Sequence, residues 1–185
     1  MSGFATFYPI VDSADWIRRL VSSGITLVQL RIKHRPADVI AREVRAALRI
    51  CNAHDAQLVV NDHWEAALAE GAEYLHLGQS DLDDADLPAI RARGVRLGVS
   101  THDDAELERA LSIDADYVAL GPIFPTSAKV MPWAPQGLER IGEWKRRIGR
   151  RPLVAIGGIT LERASKCREA GADCLAVISD LVGHP

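Results

Sequence analysis

Tyr74-Leu75-His76-Leu77-Gly78-Gln79-Ser80-Asp81 is the stretch on which the reading of this chain turns. Its first four residues suit a short buried strand, Gly78 breaks it, and a carboxylate, Asp81, follows just past its end. A second stretch of the same design lies upstream. Leu58-Val59-Val60 is apolar and β-branched and runs into Asn61-Asp62. Two parallel strands, each followed at once by an acid, bring two carboxylates around one point. Such a pair suits Mg²⁺ when a substrate phosphate supplies further oxygens.

The same unit repeats in both directions. Upstream, Phe7 to Val11 reads as a strand, Asp15 to Ser22 as a helix stopped by Ser23-Gly24, and Ile25 to Leu30 as a second strand. Pro36 fits the first turn of a helix reaching Ala53. A helix from His63 to Glu70, closed by Gly71, leads to the Tyr74 strand. Downstream, Asp84 to Ala92 is a helix and Val95 to Val99 a strand. Asp103 with Glu106 has the capping-box spacing that opens a helix to Ile113. Strands at Asp116–Leu120, Pro152–Ile156 and Cys174–Val177 alternate with helices at Gly137–Ile148 and Thr160–Ala170. The irregular stretch Gly121 to Gln136, with Pro122, Pro125, Pro132 and Pro135, is long enough to be a functional loop.

Strands this apolar suit a parallel sheet covered on both faces. Eight such units point to an α/β fold of the (β/α)8 TIM-barrel type, as a single domain over residues 1–185. No G-x-G-x-x-G follows the first strand, so nothing favours a dinucleotide-binding sheet. The chain is shorter than the ~200 residues that are the usual lower bound for this barrel, and the shortage falls at the end. The eighth helix is therefore expected to be missing or truncated.

Composition narrows the classes further. The 185 residues are 48% hydrophobic and 25% charged, with a net charge of -3. There is no basic excess to hold nucleic acid and no apolar run near the ~20 residues of a membrane span. No basic-then-apolar leader opens the chain. The three cysteines, Cys51, Cys167 and Cys174, form no C-x-x-C. They read as buried free thiols in a reducing compartment, the cytoplasm.

In this barrel the site lies at the C-terminal ends of the strands. Those ends offer Asp12; Gln29, Arg31 and Lys33; Asn61 and Asp62; Asp81; Ser100 and His102; Thr126 and Lys129; Gly157 and Gly158; Ile178 and Ser179. Two cations and two acids lie on neighbouring units, which suits a diphosphate with a metal. Gly158 and Ser179, after the seventh and eighth strands, sit where this fold often holds a phosphate. Each feature has a second reading. Asp62 with Glu65 has capping-box spacing, Asp81 is placed to cap a helix, and Arg31 and Lys33 suit a solvated loop. Gly157-Gly158 suits a plain turn. No H-x-x-x-H, H-E-x-x-H or G-x-S-x-G occurs, so zinc chemistry and a serine nucleophile have no support.

Taken together, these stretches resemble the thiamine phosphate synthase (thiamine phosphate pyrophosphorylase) family, in its proteobacterial form. The resemblance rests on Val28 to Lys33, Val60-Asn61-Asp62, His76 to Asp81, Gly98 to His102, Gly121 to Thr126 with Lys129, and Ala155 to Ile159. It implies a Mg²⁺-dependent transferase of thiamine biosynthesis. Hydroxymethylpyrimidine diphosphate and a thiazole phosphate, carboxylated or not, give thiamine phosphate and diphosphate. Diphosphate departs first, and the thiazole nitrogen then attacks the pyrimidine methylene. By matched position, Gln29, Leu30, Arg31, Ile32, Lys33, Asn61, Ser100 and Lys129 hold the pyrimidine diphosphate, with Arg31, Lys33, Lys129 and Ser100 in the catalytic roles. Asp62 and Asp81 bind Mg²⁺. Thr126, Ser127, Ala128, Gly158, Ile178 and Ser179 hold the thiazole phosphate. Ala128 stands where the family usually has a threonine, a loss worth ~1–3 kcal/mol of phosphate binding. Small-molecule substrates are implied, with a homodimer left open. Two alternatives stay on the table: a thiazole tautomerase of the same fold, and a non-catalytic binder of thiamine phosphate.

Overall fold

The computed structural model describes residues 4–126 and 133–178. Its eight strands run β1 (Phe7–Val11), β2 (Leu27–Leu30), β3 (Gln57–Asn61), β4 (Tyr74–Leu77), β5 (Arg96–Thr101), β6 (Tyr117–Leu120), β7 (Leu153–Ile156) and β8 (Cys174–Val177). They close in sequence order as a parallel barrel, as the alternating strand and helix pattern predicts. The contacts group into two compact units. One is Pro9–Leu97; the other joins residues 1–8 to residues 98–185.

In the first unit, α1 (Ala14–Ser22) starts at Ser13, whose hydroxyl accepts from the Trp16 N–H at 3.5 Å. It buries Ala14, Ile17 and Val21, one stripe of an amphipathic helix. The long α2 (Ala37–Ala53) follows Pro36 and buries Ile40, Val44, Ala47 and Cys51, again on one face. Next comes α3 (Trp64–Glu70), closed by Gly71 in the left-handed region at φ 76°, where glycine alone carries no Cβ penalty.

The Asp84 to Ala92 helix expected from the sequence is two helices. These are α4 (Asp81–Asp84) and α5 (Leu87–Ala92), with Ala85 extended between them. The cause is local. Pro88 has no N–H to give and belongs in a first turn. Asp86 then caps α5 by accepting the Ala89 N–H at 2.9 Å.

Pairing within this unit is in register. Leu30 lies opposite Val60, Val60 opposite Leu75, and Asn61 opposite His76. The three strand ends therefore step by only one residue each, and the residues just past them emerge close together in height.

The second unit holds α6 (Asp104–Ser112), α7 (Gly137–Ile148) and α8 (Leu161–Glu169). Asp103 accepts the Glu106 N–H at 2.9 Å, so the expected N-cap forms, but the Glu106 carboxylate returns to the His102 N–H rather than to that of Asp103, and the box is not closed. The fully buried Trp144 of α7 donates its indole N–H to Thr101 Oγ1 at 3.1 Å, and Thr101 donates on to the Ala119 carbonyl at 3.0 Å. Helix α7 is thereby tied to the end of β5. The Tyr117 ring fills the space over Gly98, where a Cβ would fall 1.9 Å from it. Its hydroxyl lies 3.0 Å from that of Tyr8. The expected loss of the eighth barrel helix, which would follow β8, concerns residues that lie outside the described ones. Among the described residues no helix is long and apolar enough to cross a membrane.

Candidate active site

Three strand ends of the first unit build the acid and cation cluster. Beyond β2 the chain leaves the ladder at Arg31. The Arg31 N–H still donates to the Val11 carbonyl at 2.8 Å. The buried Ile32 side chain anchors the segment and leaves Lys33 exposed beyond it. Lys33 Nζ forms an ion pair with Asp62 Oδ2.

Asp62 is held in an unusual backbone state. Its φ is +65°, in the left-handed region, which Asp tolerates better than most residues. Its N–H donates to the His76 carbonyl at 2.9 Å. The next two N–H groups, of His63 and Trp64, fold back onto Asn61 and Asp62 carbonyls at 2.8 Å each. The helix begins only after this twist, with His63 at the N-cap and no side-chain cap bond. Asp62 therefore is not the cap of α3; its carboxylate faces Lys33.

Asp81 lies past β4, in the first turn of α4. Its Oδ2 accepts the Gly78 N–H at 3.1 Å. A Cβ on residue 78 would sit 2.7 Å from that oxygen, so glycine is what lets the carboxylate fold back. Burial is the main cause that raises the Asp81 pKa above the usual carboxylate range. Next comes Asp62, whose negative charge and side-chain hydrogen bond both raise it, while Lys33 pulls it down. The two acids are thus close enough for the charge of one to act on the other.

Two buried polar side chains flank them. His76 is pushed down to about 4, chiefly by burial, with Asp62 opposing and Arg31 assisting. It is neutral near pH 7 and adds no charge. Asn61 is 5% exposed, and its Nδ2 has no hydrogen-bond partner. An orphaned buried donor is costly unless a ligand completes it. Gln29 and Leu30 are buried on β2, so Leu30 and Ile32 can meet a ligand only through backbone groups.

One residue escaped the sequence reading. His63 Nε2–H donates to the Ile32 carbonyl at 2.9 Å, tying the acid-bearing turn to the cation-bearing one. Its only signal was adjacency to Asp62.

The second unit places the remaining residues. Ser100 is half-buried on β5 opposite Ala119. His102 stacks on Trp133 with centroids 3.8 Å apart and planes 10° from parallel. Its Nδ1 and backbone N–H both meet Glu106 Oε2 at 2.7 Å. Gly157 and Gly158 have φ of +95° and +63°, and a Cβ on Gly158 would fall 2.5 Å from the Pro125 carbonyl oxygen. The Phe124 N–H donates to the Gly157 carbonyl at 3.0 Å, and Arg163 binds the Gly158 carbonyl at 2.6 Å. This is a tight double-glycine turn clamped against the start of the Gly121 loop, at whose described edge Thr126 stands. Ile178 is half-buried just past β8. Ser127, Ala128, Lys129 and Ser179 lie outside the described residues.

A parallel barrel that gathers acids and cations past β2, β3 and β4 belongs to the broad class of barrels suited to phosphorylated small molecules. Comparison with known proteins makes the assignment specific. Residues 7–181 match the family model described as thiamine monophosphate synthase, and the chain belongs to that family. It is 57% identical to the thiamine-phosphate synthase of Rhizobium etli over 179 residues, 97% of this chain and 88% of that protein. It is 46% identical to that of Serratia proteamaculans, over 96% and 84%. The solved thiamine phosphate pyrophosphorylase from Pyrococcus furiosus superimposes with a TM-score of 0.83 at 30% identity, covering 97% of this chain and 88% of that one.

Proposed function

We propose that this chain joins hydroxymethylpyrimidine diphosphate to a thiazole phosphate, releasing diphosphate and thiamine phosphate. The observation that carries the reading is the Lys33–Asp62–Asp81 cluster beside the orphaned Asn61 donor, in a member of the thiamine monophosphate synthase family.

The donor set fits Mg²⁺. Two neighbouring carboxylates with no sulfur or imidazole ligand are what a hard cation takes when substrate oxygens complete its shell. Asp62 and Asp81 would hold the ion, which when bound supplies positive charge to the leaving diphosphate. Arg31 and Lys33 neutralise the same group from the protein side, joined in this reading by Lys129. Asn61 Nδ2 and Gln29 orient the pyrimidine diphosphate, with Ser100 as a further contact. Thr126, Ser127, Ala128, Gly158, Ile178 and Ser179 receive the thiazole phosphate.

Departure of diphosphate needs no protein nucleophile. It needs negative charge stabilised as the C–O bond lengthens and a second reactant held in line. A unit charge pair at 4 Å is worth about 4 kcal/mol at an effective dielectric of 20, so a few such contacts supply much of a barrier reduction of about 8–23 kcal/mol. The reading includes a cytoplasmic setting and is compatible with a homodimer. A coupled assay of diphosphate release tests it. Release is expected only with both substrates and Mg²⁺ present. Equal release without Mg²⁺, or turnover of the thiazole alone, would overturn it.

A further inference from the structure

We propose that His63 is a positioning residue that sets the diphosphate-binding segment Arg31-Ile32-Lys33 against the acid pair. The inference rests on the function proposed above and adds a residue to it. Residues 31–33 lie beyond the last rung of β2, so the sheet no longer fixes them. Within this stretch one main-chain bond, from the Arg31 N–H to the Val11 carbonyl, ties its first residue. Ile32 stands between the two cations in sequence, and His63 Nε2–H donates to its carbonyl at 2.9 Å.

A carbonyl can only accept, so Nε2 carries the proton whether the ring is neutral or charged. On its own side His63 is fixed by the left-handed Asp62 and the turn in which its N–H returns to the Asn61 carbonyl at 2.8 Å. The imidazole therefore locks the spacing between the backbone that bears Asp62 and the backbone that bears Arg31 and Lys33. The Lys33–Asp62 ion pair is made across that same gap, but by a flexible, exposed side chain. A lysine that must leave Asp62 to meet a phosphate cannot also hold the register. His63 can, because its bond is to a main-chain carbonyl, an acceptor that a phosphate oxygen cannot use.

The test is titration calorimetry of inorganic diphosphate with Mg²⁺ in excess, set beside titration of the thiazole phosphate, on wild type, His63→Ala, His63→Phe and His63→Gln. The alanine variant removes donor and ring, the phenylalanine variant only the donor, and the glutamine variant keeps a donor. Diphosphate affinity is expected to fall about tenfold, the worth of one buried hydrogen bond, in the alanine and phenylalanine variants. The glutamine variant should recover to within about threefold, and thiazole phosphate affinity should stay within about twofold in all of them. Diphosphate binding at the wild-type level in His63→Phe would overturn the inference alone. So would equal losses in the phenylalanine and glutamine variants, or a matching loss of thiazole phosphate affinity. Absence of diphosphate binding by the wild type would instead remove the function on which it rests. If the alanine variant fails to fold, the phenylalanine and glutamine pair decides.

Discussion

Asp81→Asn should make the metal-free protein more stable while removing its activity. Asp81 sits beside Asp62, and burial together with that neighbour raises its pKa. A raised carboxyl pKa means the folded protein prefers the acid form. The favourable contribution is complete below the unfolded-state pKa and is lost as pH rises through the folded one. Once ionised, Asp81 is repelled by the negative charge of Asp62. Two unit charges at about 4 Å interact by about 4 kcal/mol at an effective dielectric of 20 and by about 1 kcal/mol in bulk water. Asp81 is partly exposed and Lys33 offsets the repulsion, so the lower figure applies after screening. Asparagine keeps an oxygen for the Gly78 N–H and carries no charge. A gain of about 1 kcal/mol corresponds to a rise of about 2–4 °C in Tm for a chain of this size. Thermal melts at neutral pH in chelator measure it, and a parallel series toward lower pH should show the gap closing as Asp81 takes up its proton. Addition of Mg²⁺ should reverse the order, because the wild type gains RT ln(1 + [L]/Kd), about 1.4 kcal/mol at ten times Kd, and the variant does not. A variant less stable than wild type in chelator would refute the picture of two mutually repelling carboxylates.

Two further outcomes follow from the packing around Asn61 and Gly98. Asn61→Ala should change stability by less than about 1 kcal/mol, because the amide Nδ2 it deletes has no partner to lose. It should raise the KM for the pyrimidine diphosphate about tenfold, so melting and steady-state kinetics together separate a ligand contact from a structural one. Gly98→Ala should abolish soluble expression or cost at least about 3 kcal/mol, because the new methyl falls inside the Tyr117 ring at 1.9 Å; denaturant titration of any soluble fraction measures the loss.

The barrel was legible because its signals are local and repeated. Each strand is a short apolar run with a turn or capping residue at its end, and the parallel register then follows from closure. The helix between β4 and β5 was misjudged because Pro88 and Asp86 restart a helix inside what reads as one polar–apolar pattern. Asp62 could be placed from sequence, but its left-handed backbone could not: nothing in Val60-Asn61-Asp62-His63 announces two successive folded-back N–H groups. Gly78 was read as a strand breaker, whereas its sharper role is to leave room for the Asp81 carboxylate. His63 was invisible as a positioning group because its partner is a main-chain carbonyl 31 positions away, and side-chain motifs carry no record of such bonds.

The electrostatics of the cluster bear on the order of events. Two cations, Arg31 and Lys33, and two acids, Asp62 and Asp81, lie at these strand ends; Lys33 pairs with Asp62 and acts on Asp81, and burial keeps His76 neutral. Before any ligand arrives the cluster is therefore close to balanced, with Lys33 held by Asp62. A bare diphosphate would bring its full negative charge to a cation already occupied and to two carboxylates that repel it. A bare divalent ion would have to compete with Lys33 for Asp62. In the function proposed above, the magnesium complex of the diphosphate would avoid both conflicts: Asp62 and Asp81 would hold the ion, and Lys33, no longer needed by Asp62, would be available to the phosphate oxygens. Exchange of one ion-pair partner for another leaves little net desolvation to overcome. It also ties diphosphate affinity to metal: each should tighten the other's binding by the same factor.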